Sequence, residues 1–207
     1  MTMSFLENLE WRHAAKAFSR DETLPSGAMD EIFRAIKMAP TSYGLQPFKV
    51  IRVLDTEARE KIIEAGFNQP QFSTAVEVLV FCSRTDVEQR ISKYFELACK
   101  DNSELRQKMS GYEKMMRGSL ENRSEAELRS WSEKQIYIAL GFAMAACAEK
   151  KIESCPMEGF LPTKVDQALS LDGELKSAVI LTIGQRDESK PLRAKVRFDD
   201  TELFAEK

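Results

Sequence analysis

The chain of 207 residues has the composition of a globular protein with one sizeable core, since 43% of its residues are hydrophobic and 30% are charged. Its net charge of -3 offers polyanions no overall attraction, which argues against nucleic acid as a main partner. The amino end lacks the apolar core of a signal peptide, and the longest apolar stretch is shorter than the roughly 20 residues that a bilayer needs. We therefore expect a single domain over 1–207 in a cytoplasmic protein with no membrane partner.

The reactive residue types in the sequence argue against several classes of catalysis. His13 is the only histidine, so a Ser-His-Asp or Cys-His site would depend on one imidazole between two cations. The four cysteines show no paired CxxC spacing, which fits reduced, buried thiols and gives no zinc-ligand pattern. We expect no metal site, and an organic cofactor would have to supply the chemistry of an enzyme built from these residues.

Apolar residues at helical and strand periods predict helices and strands interspersed along the chain. Ser26 and Thr56 are expected to cap the first two helices, and Gly66 to close the second. The near-continuous apolar run at 76–82 predicts a central strand. In chain order, the predicted elements are a helix at 29–36, a strand at 48–54, a helix at 56–66, a strand at 76–82, helical segments at 86–119, a long helix at 125–150, a short strand before "CPMEGF", a helix at 162–170 and a buried strand at 178–184.

Two charged regions are expected outside the core. Residues 86–123 form a predicted peripheral helical insertion, and residues 188–207 form a C-terminal arm too charged and too short for a core of its own. The element order fits an α/β or an α+β fold. No glycine-rich turn of the Rossmann or P-loop kind is present, so a nucleotide phosphate would have to be held in another way.

Two pairs of basic residues stand near opposite ends of the chain. Arg12 and Lys16 face the same way whether "RHAAKAF" is helical or extended. Unit charges roughly 6 to 13 Å apart repel by about 1 to 3 kcal/mol at an effective dielectric near 20, so either water screens them or an anion lies between them. Lys195 and Arg197 would share a face in an extended tail. The sequence alone does not decide whether water screens these cations or an anion lies between them.

Five motifs, in order, resemble those of the FMN-dependent nitroreductases. They are "RHAAKAF" at 12–18, "APTSYGLQPFKV" at 39–50, "NQPQF" at 68–72, "CPMEGF" at 155–160 and "KVRF" at 195–198. The resemblance covers nearly the whole chain and looks closest to the oxygen-insensitive NAD(P)H nitroreductases. It implies an α+β three-layer sandwich with a central, mostly antiparallel (mixed) sheet between helices and an extended C-terminal arm. It also implies a homodimer with two FMN sites at the subunit interface.

The resemblance assigns roles to the motif residues. Arg12 would contact the phosphate or ribityl end of FMN, and Lys16 the pyrimidine edge, where a positive charge makes reduction easier. The backbone N–H of Glu158 or Gly159 would face flavin N5, and no side chain is needed as a catalytic group. The implied cofactor-binding residues are Arg12, Ala14, Lys16, Thr41, Ser42, Gly44, Asn68, Gln71, Pro156, Met157, Glu158, Gly159, Lys195 and Arg197. Of these, Thr41, Ser42 and Gly44 would reach the flavin of the other subunit.

The implied activity is the reduction of nitroaromatics, quinones or similar small acceptors by NADH or NADPH, with alternating hydride transfer at N5. Ala14 stands where serine is common, and Gln71 where some relatives carry lysine, so flavin affinity or potential would differ. Tyr112, Met115 and Met116 are candidates for a substrate-channel wall, or ordinary packing residues. Two other functions stay open: a specialised flavoenzyme of the same fold, of the dehalogenase or flavin-destroying type, and a non-catalytic FMN-binding protein.

Overall fold

The computed structural model describes residues 4–207. Four strands form one sheet in the order β1-β2-β4-β3, and each neighbouring pair is antiparallel. The elements are α1 (Phe5–Trp11), α2 (Ala28–Met38), a 3-10 turn (Ser42–Gly44), β1 (Phe48–Arg52), α3 (Thr56–Ala65), α4 (Pro70–Thr74), β2 (Glu77–Arg84), α5 (Val87–Cys99), α6 (Ser103–Lys108), α7 (Ser110–Leu120), α8 (Glu125–Glu149), β3 (Glu153–Met157), α9 (Pro162–Ala168), β4 (Leu175–Gly184) and α10 (Asp200–Leu203).

Helices cover both faces of the sheet, so the architecture is a three-layer α+β sandwich, as expected. Successive side chains of a strand point to opposite faces, and β2 follows this rule. Val78 and Val80 pack into the core that α3, α4 and α9 share, whereas Leu79 and Phe81 pack against α2 and α8. Because both faces of β2 are covered, its apolar residues run without alternation. The predicted central position of this strand is confirmed.

The long helix α8 packs one side on the sheet and leaves an apolar side exposed. It begins at a capping box, in which Ser124 N–H donates to the Glu127 carboxylate (2.8 Å) and Ser124 Oγ accepts from Glu127 N–H (3.3 Å). On the side away from the sheet, Tyr137, Ile138 and Phe142 are 43%, 40% and 40% exposed. We call these three residues the α8 stripe.

Helices α5, α6 and α7 occupy the region predicted as an insertion, and α5 and α7 build a small core of their own with Leu45 and Trp131. Met116 is fully buried in this core, so it is a packing residue rather than a channel wall. Tyr112 and Met115 are 37% and 48% exposed. The single domain over 1–207, with its insertion and arm, stays a prediction, and its residues 1–3 lie outside the described part.

Several local predictions are wrong in detail. Gly27, with φ of 76°, is the N-cap of α2 in place of Ser26, because its backbone takes the left-handed region that glycine tolerates. Asp55 caps α3 in place of Thr56, and its carboxylate accepts from Ala58 N–H at 2.7 Å. The turn predicted at "FNQPQF" contains helix α4, which Pro70 opens.

The segment predicted to follow a short strand is largely the strand itself, since Cys155, Pro156 and Met157 pair with β4. Pro156 is tolerated there because β3 is an edge strand of the four-stranded sheet. The described strands are all antiparallel, and the one parallel element is an isolated bridge between Ala14 and Ser154. That bridge places the first motif beside β3.

Candidate functional site

The first motif runs in an extended conformation along the edge of the sheet. Helix α1 ends at Trp11, and Arg12 follows with extended φ and ψ of -61° and 135°. Ala14 bridges to Ser154, and Phe18 bridges to Arg186 at the far end of the motif. Ala15 and Phe18 are buried, which anchors the segment, while Ala14 and Lys16 stay exposed. The extended conformation therefore turns Lys16 away from the core.

A cavity of about 410 Å³ lies between the first motif and the C-terminal arm. Arg12, Lys16, Lys195 and Arg197 all line it, so the two basic pairs from opposite chain ends share one space. Desolvation and the nearby positive charges of Arg12 and Arg197 lower the pKa of Lys195. The cations are therefore close enough to repel one another.

The arm is tied to the amino-terminal part of the chain at this cavity. Lys195 Nζ donates to the backbone carbonyl of Leu9 at 3.2 Å and also to that of Glu10. Both carbonyls belong to the last turn of α1, where an ammonium group is favoured by the helix dipole. Within residues 4–207, none of the four cations forms an ion pair with a carboxylate.

The wall of the cavity also holds a buried carboxylate that the sequence did not indicate. Glu153 is 1% exposed, and its Oε1 accepts from Arg186 Nε at 2.6 Å. His13 Nδ1 lies 3.4 Å from the other carboxylate oxygen of Glu153, and Arg186 stacks over the Trp11 ring with its Cζ 4.6 Å from the centroid. Desolvation and the charge of Arg186 lower the pKa of His13 against the opposing effect of Glu153. His13 thus lies beside a charged pair, and not only between cations as predicted.

Hydrogen bonds join three of the predicted motifs into one structure. The backbone N–H of Phe18 donates to Thr74 Oγ1 at 2.9 Å, which links the first motif to α4. Gln69 Nε2 donates to the carbonyls of Gly66 (3.0 Å) and Gly159 (2.9 Å), which links the segment before α4 to "CPMEGF". Gln69 was not predicted as a site residue. Its role depends on a contact between segments 90 residues apart.

The "CPMEGF" segment presents backbone donors beside this junction. Phe160 N–H donates to the carbonyl of Glu158 at 2.9 Å, which makes a tight turn. Within residues 4–207, no acceptor pairs with the backbone N–H of Glu158 or of Gly159, and both residues are exposed. The hydroxyl of Tyr137 donates to the Glu158 carboxylate, and desolvation together with this contact raises the pKa of Tyr137. Two N–H groups thus remain open to a ligand.

The other predicted residues of these motifs differ in what they expose. Met157 has its side chain in the core, so only its backbone is available, whereas Pro156 is half-buried in β3. Asn68 is exposed and has a left-handed φ of 53°. Gln71 lies in α4 and is 7% exposed, so its amide is nearly enclosed.

The loop that contains Thr41, Ser42 and Gly44 is not part of the cavity that Arg12 and Lys195 line. Ser42 N–H donates to Gln135 Oε1 of α8 at 2.8 Å, and Thr41 Oγ1 accepts from Gln46 N–H at 3.0 Å. Gly44 takes a left-handed φ of 69°, and a Cβ there would stand 3.4 Å from the Tyr94 ring. These contacts fix the loop against α8 and α5.

A family model described as "Nitroreductase family" matches residues 9–185 of the chain. The chain belongs to the nitroreductase family. It is 29% identical over 194 residues to a Bacillus subtilis protein described as "Putative NAD(P)H nitroreductase YfkO", and the match covers 87% of this chain and 88% of that one. The resemblance drawn from the five motifs is confirmed at the level of the family.

Solved nitroreductase-type structures share the fold of this family member. The crystal structure of ydfN from Bacillus subtilis superposes with a TM-score of 0.87 at 21% identity, covering 98% of both chains. A nitroreductase-type protein from Exiguobacterium sibiricum, solved in complex with FMN, gives a TM-score of 0.85 at 17% identity and covers 99% of this chain and 98% of its own. At these identities the likeness establishes the fold, and the predicted fold class is confirmed.

Among the helices of residues 4–207, none combines the length and apolar character that crossing a membrane requires. The same residues contain no group of three or more His, Cys, Asp or Glu side chains placed to hold a metal ion.

Proposed function

We propose that this nitroreductase-family protein binds FMN in the cavity between the first motif and the arm. We further propose that it uses NADH or NADPH to reduce nitroaromatics, quinones or similar small acceptors. The observation that carries the proposal is the meeting of Arg12, Lys16, Lys195 and Arg197 in one cavity without carboxylate partners among residues 4–207. A phosphate monoester carries about -1.5 to -2 charges at pH 7, which would offset the repulsion among these cations.

The chemical types of the residues at the cavity match the groups that FMN would present. Arg12, Lys195 and Arg197 supply charged donors for the phosphate, and Lys16 would hold the pyrimidine edge and stabilise negative charge there. The open N–H groups of Glu158 and Gly159 are the donors expected near N5. When bound, FMN supplies hydride acceptance and donation, and the protein supplies binding and orientation.

Several features support a homodimer with FMN at its interface. The α8 stripe exposes three large apolar side chains on one helix face. The arm adds Val196, Phe198 and Phe204 at 86%, 72% and 70% exposure. Several large apolar side chains exposed on one helix are typical of an interaction site. The loop at 41–44 stands outside the cavity of its own chain, as expected if it serves the site of the partner.

No acid or base side chain is required for the proposed reaction. His13 is the only histidine, and desolvation lowers its pKa, which disfavours the protonated form that a general acid needs. Reductant and acceptor would enter the same space in turn, with the acceptor arriving after the oxidised nucleotide leaves.

The decisive experiment follows the colour of the flavin. Purified protein should carry FMN and be yellow, lose its absorbance near 450 nm (about the usual flavin maximum) under anaerobic NADH or NADPH, and regain it with a quinone or nitroarene. Tight FMN that neither nucleotide bleaches would favour the non-catalytic binding protein. Loss of the flavin itself in the presence of oxygen, or release of halide from a haloarene, would favour the specialised enzymes. Protein that never retains FMN would overturn the proposal.

A further inference from the structure

A second cavity adjoins the proposed FMN site, and we propose that it binds the phosphate groups of the nicotinamide reductant and makes NADPH the preferred one. This inference rests on the proposed function, because a reductant must be used for its phosphates to matter. The cavity has a volume of about 620 Å³ and lies between the end of the first motif, α4 and the arm. Lys16, Lys190 and Arg193 line both cavities, so the two spaces are adjacent.

The lining of the second cavity is predominantly basic. Lys16, Arg20, Lys190 and Arg193 line it, and within residues 4–207 none of them forms an ion pair with a carboxylate. Elsewhere on the surface, basic residues often have such a partner: Arg117, for example, contacts two glutamates. A cluster of unpaired cations in a concave site favours an anion.

The acidic groups of this cavity do not cancel its charge. Asp21 and Asp187 are the acidic residues that line it. Asp187 Oδ1 accepts from the backbone N–H (3.0 Å) and the hydroxyl (2.5 Å) of Ser189, and these hydrogen bonds lower the pKa of Asp187. Its carboxylate stays ionised and also attracts Lys190, but the four cations that line this cavity outnumber its two carboxylates, so the site remains positive.

One bound FMN would not neutralise all of these cations. A single phosphate monoester carries about -1.5 to -2 charges, whereas seven Lys and Arg side chains line the first cavity alone, and only Arg186 among them has a carboxylate partner within residues 4–207. Arg20 lies outside that first cavity, on the far side of Phe18. The remaining cations thus call for a second anion, and among the reactants of the proposed function the phosphate groups belong to the nicotinamide nucleotide.

Hydrogen bonds fix the backbone just before Arg20, whose own side chain is exposed. Phe18 is 1% exposed and its N–H donates to Thr74 Oγ1 at 2.9 Å, while Ser19 N–H donates to the carbonyl of Gln185 at 3.0 Å. An arginine presents paired donors that match a phosphate. NADPH differs from NADH by one phosphate monoester, so contacts to that group would separate the two nucleotides.

The test compares both nucleotides on FMN-loaded protein at fixed ionic strength. The wild type should show kcat/KM for NADPH above that for NADH by about tenfold or more, the worth of one charge-assisted hydrogen bond. Arg20→Gln is the cleanest variant because Arg20 lines only the second cavity. It should lower kcat/KM for NADPH by a similar factor and change the value for NADH little.

A binding measurement separates this site from catalysis. Calorimetric titration of oxidised, FMN-loaded protein with NADP⁺ should give tighter binding than with NAD⁺, and Arg20→Gln should remove the difference. Lys114→Gln, at an exposed cation on α7 that has no carboxylate partner within residues 4–207, should leave both affinities unchanged. Dithionite should reduce the flavin of every variant equally, and their melting temperatures should match, which excludes a folding defect.

Each contrary result has a distinct meaning. Equal use of NADH and NADPH by a flavin that both nucleotides bleach would overturn the second site and leave the proposed function intact. The same holds if Arg20→Gln slows reoxidation by 4-nitrobenzoate but not by a neutral quinone, since the cavity would then serve an anionic acceptor. Loss of FMN affinity in Arg20→Gln would assign this arginine to the flavin. A flavin that neither nucleotide reduces would refute the proposed function and this inference together.

Discussion

Single side chains decide the charge of the candidate site. Arg12 stands at the end of α1, and its positive charge helps to lower the pKa of Lys195 across the cavity. Without an anion, these groups repel each other and favour separation of the arm from the first motif. Repulsion among these cations therefore destabilises the flavin-free protein, and a bound phosphate would offset that repulsion.

Replacing Arg12 by glutamine tests this balance. We expect the dissociation constant of FMN to rise by about 10- to 100-fold, because one charge-assisted contact is lost. The melting temperature of the flavin-free protein should stay the same or rise slightly, since a like charge beside Lys195 is removed. Arg34→Gln serves as the control, because Arg34 is exposed on α2 and forms no ion pair in the described part of the chain. Unchanged FMN affinity in Arg12→Gln would contradict the assignment of this cavity.

Gln69 is a positioning residue, because its amide holds the turn at Gly159. Gln69→Leu removes the hydrogen bonds to Gly66 and Gly159, so we expect a loss of about 1 to 2 kcal/mol in the free energy of unfolding. Because the turn that carries the open N–H groups is then less restrained, the midpoint potential of bound FMN should shift. Gln89→Leu is the matched control, since that amide makes only a 3.4 Å contact with Glu174. A purely structural role would lower stability and leave the potential unchanged.

At the scale of elements, the contact of the first motif with β4 depends on a glycine. A Cβ at Gly184 would lie 2.7 Å from Cβ and Cγ of Phe18, and Phe18 is buried with no room to rotate. We expect Gly184→Ala to destabilise the protein by about 1 to 3 kcal/mol and to weaken FMN binding by displacing the motif. Gly173→Ala meets nothing within 4 Å and should be nearly neutral. Denaturant unfolding and FMN titration of both variants provide the measurement.

The ion pair between β2 and α5 makes the stability of the fold depend on pH, and the pKa of Asp86 gives the direction of that dependence. Burial would raise the pKa of Asp86, but Arg84 Nε donates to its carboxylate at 2.8 Å and the pKa is lowered overall. A carboxyl with a lowered folded-state pKa stabilises the fold above its ordinary pKa of about 4 and loses that contribution as the pH falls below it. Asp86→Asn should therefore cost about 1 to 3 kcal/mol at pH 7 and progressively less below about pH 4.

Urea unfolding of wild type and Asp86→Asn from neutral to acid pH measures that difference. Asp101→Asn, at an exposed carboxylate, should show no such trend. A difference that stays constant down to acid pH would show that the substitution acts through packing and not through charge.

The elements could be predicted from the sequence wherever burial alone determines them. β2 is buried on both faces, so its apolar run predicted the strand, and the long helix α8 was predicted close to its observed bounds. The caps were misassigned by one residue because Ser26 and Gly27, like Asp55 and Thr56, are both acceptable caps locally and the packing of each helix decides between them.

Only part of the candidate site could be predicted from the sequence, because the tertiary fold brings its residues together. Basic pairs at two chain ends were visible, but their meeting in one cavity follows from the fold. The contacts of Gln69 and Glu153 could not be predicted because their partners are remote in sequence. These partners are Gly159 and Arg186. A glutamate in "KIESCPM" looks like a surface residue until β3 is placed beside β4.

At the scale of the whole molecule, the exposed apolar side of α8 bears on assembly. If the α8 stripe is a dimer interface, wild-type protein should have a light-scattering mass of about twice the 23.6 kDa chain. A double variant, Ile138→Glu with Phe142→Glu, should be monomeric, because burying two carboxylates in an interface is costly. It should also lose FMN, since the loop at 41–44 would no longer reach a partner's site.

Leu54→Glu is the control for that experiment, because Leu54 is 73% exposed at the end of β1 and lies away from the α8 stripe. It should remain dimeric and retain flavin. A wild-type monomer that binds FMN tightly would contradict the proposed interface.

The contact between Lys195 and the last turn of α1 spans 186 residues of sequence. Closing a loop of that length costs conformational entropy, and the sheet with its flanking helices is held by cores of its own. The sheet and helices can therefore form before the arm docks. The phosphate end of the proposed site would then form last, and flavin would bind only to protein whose arm is docked.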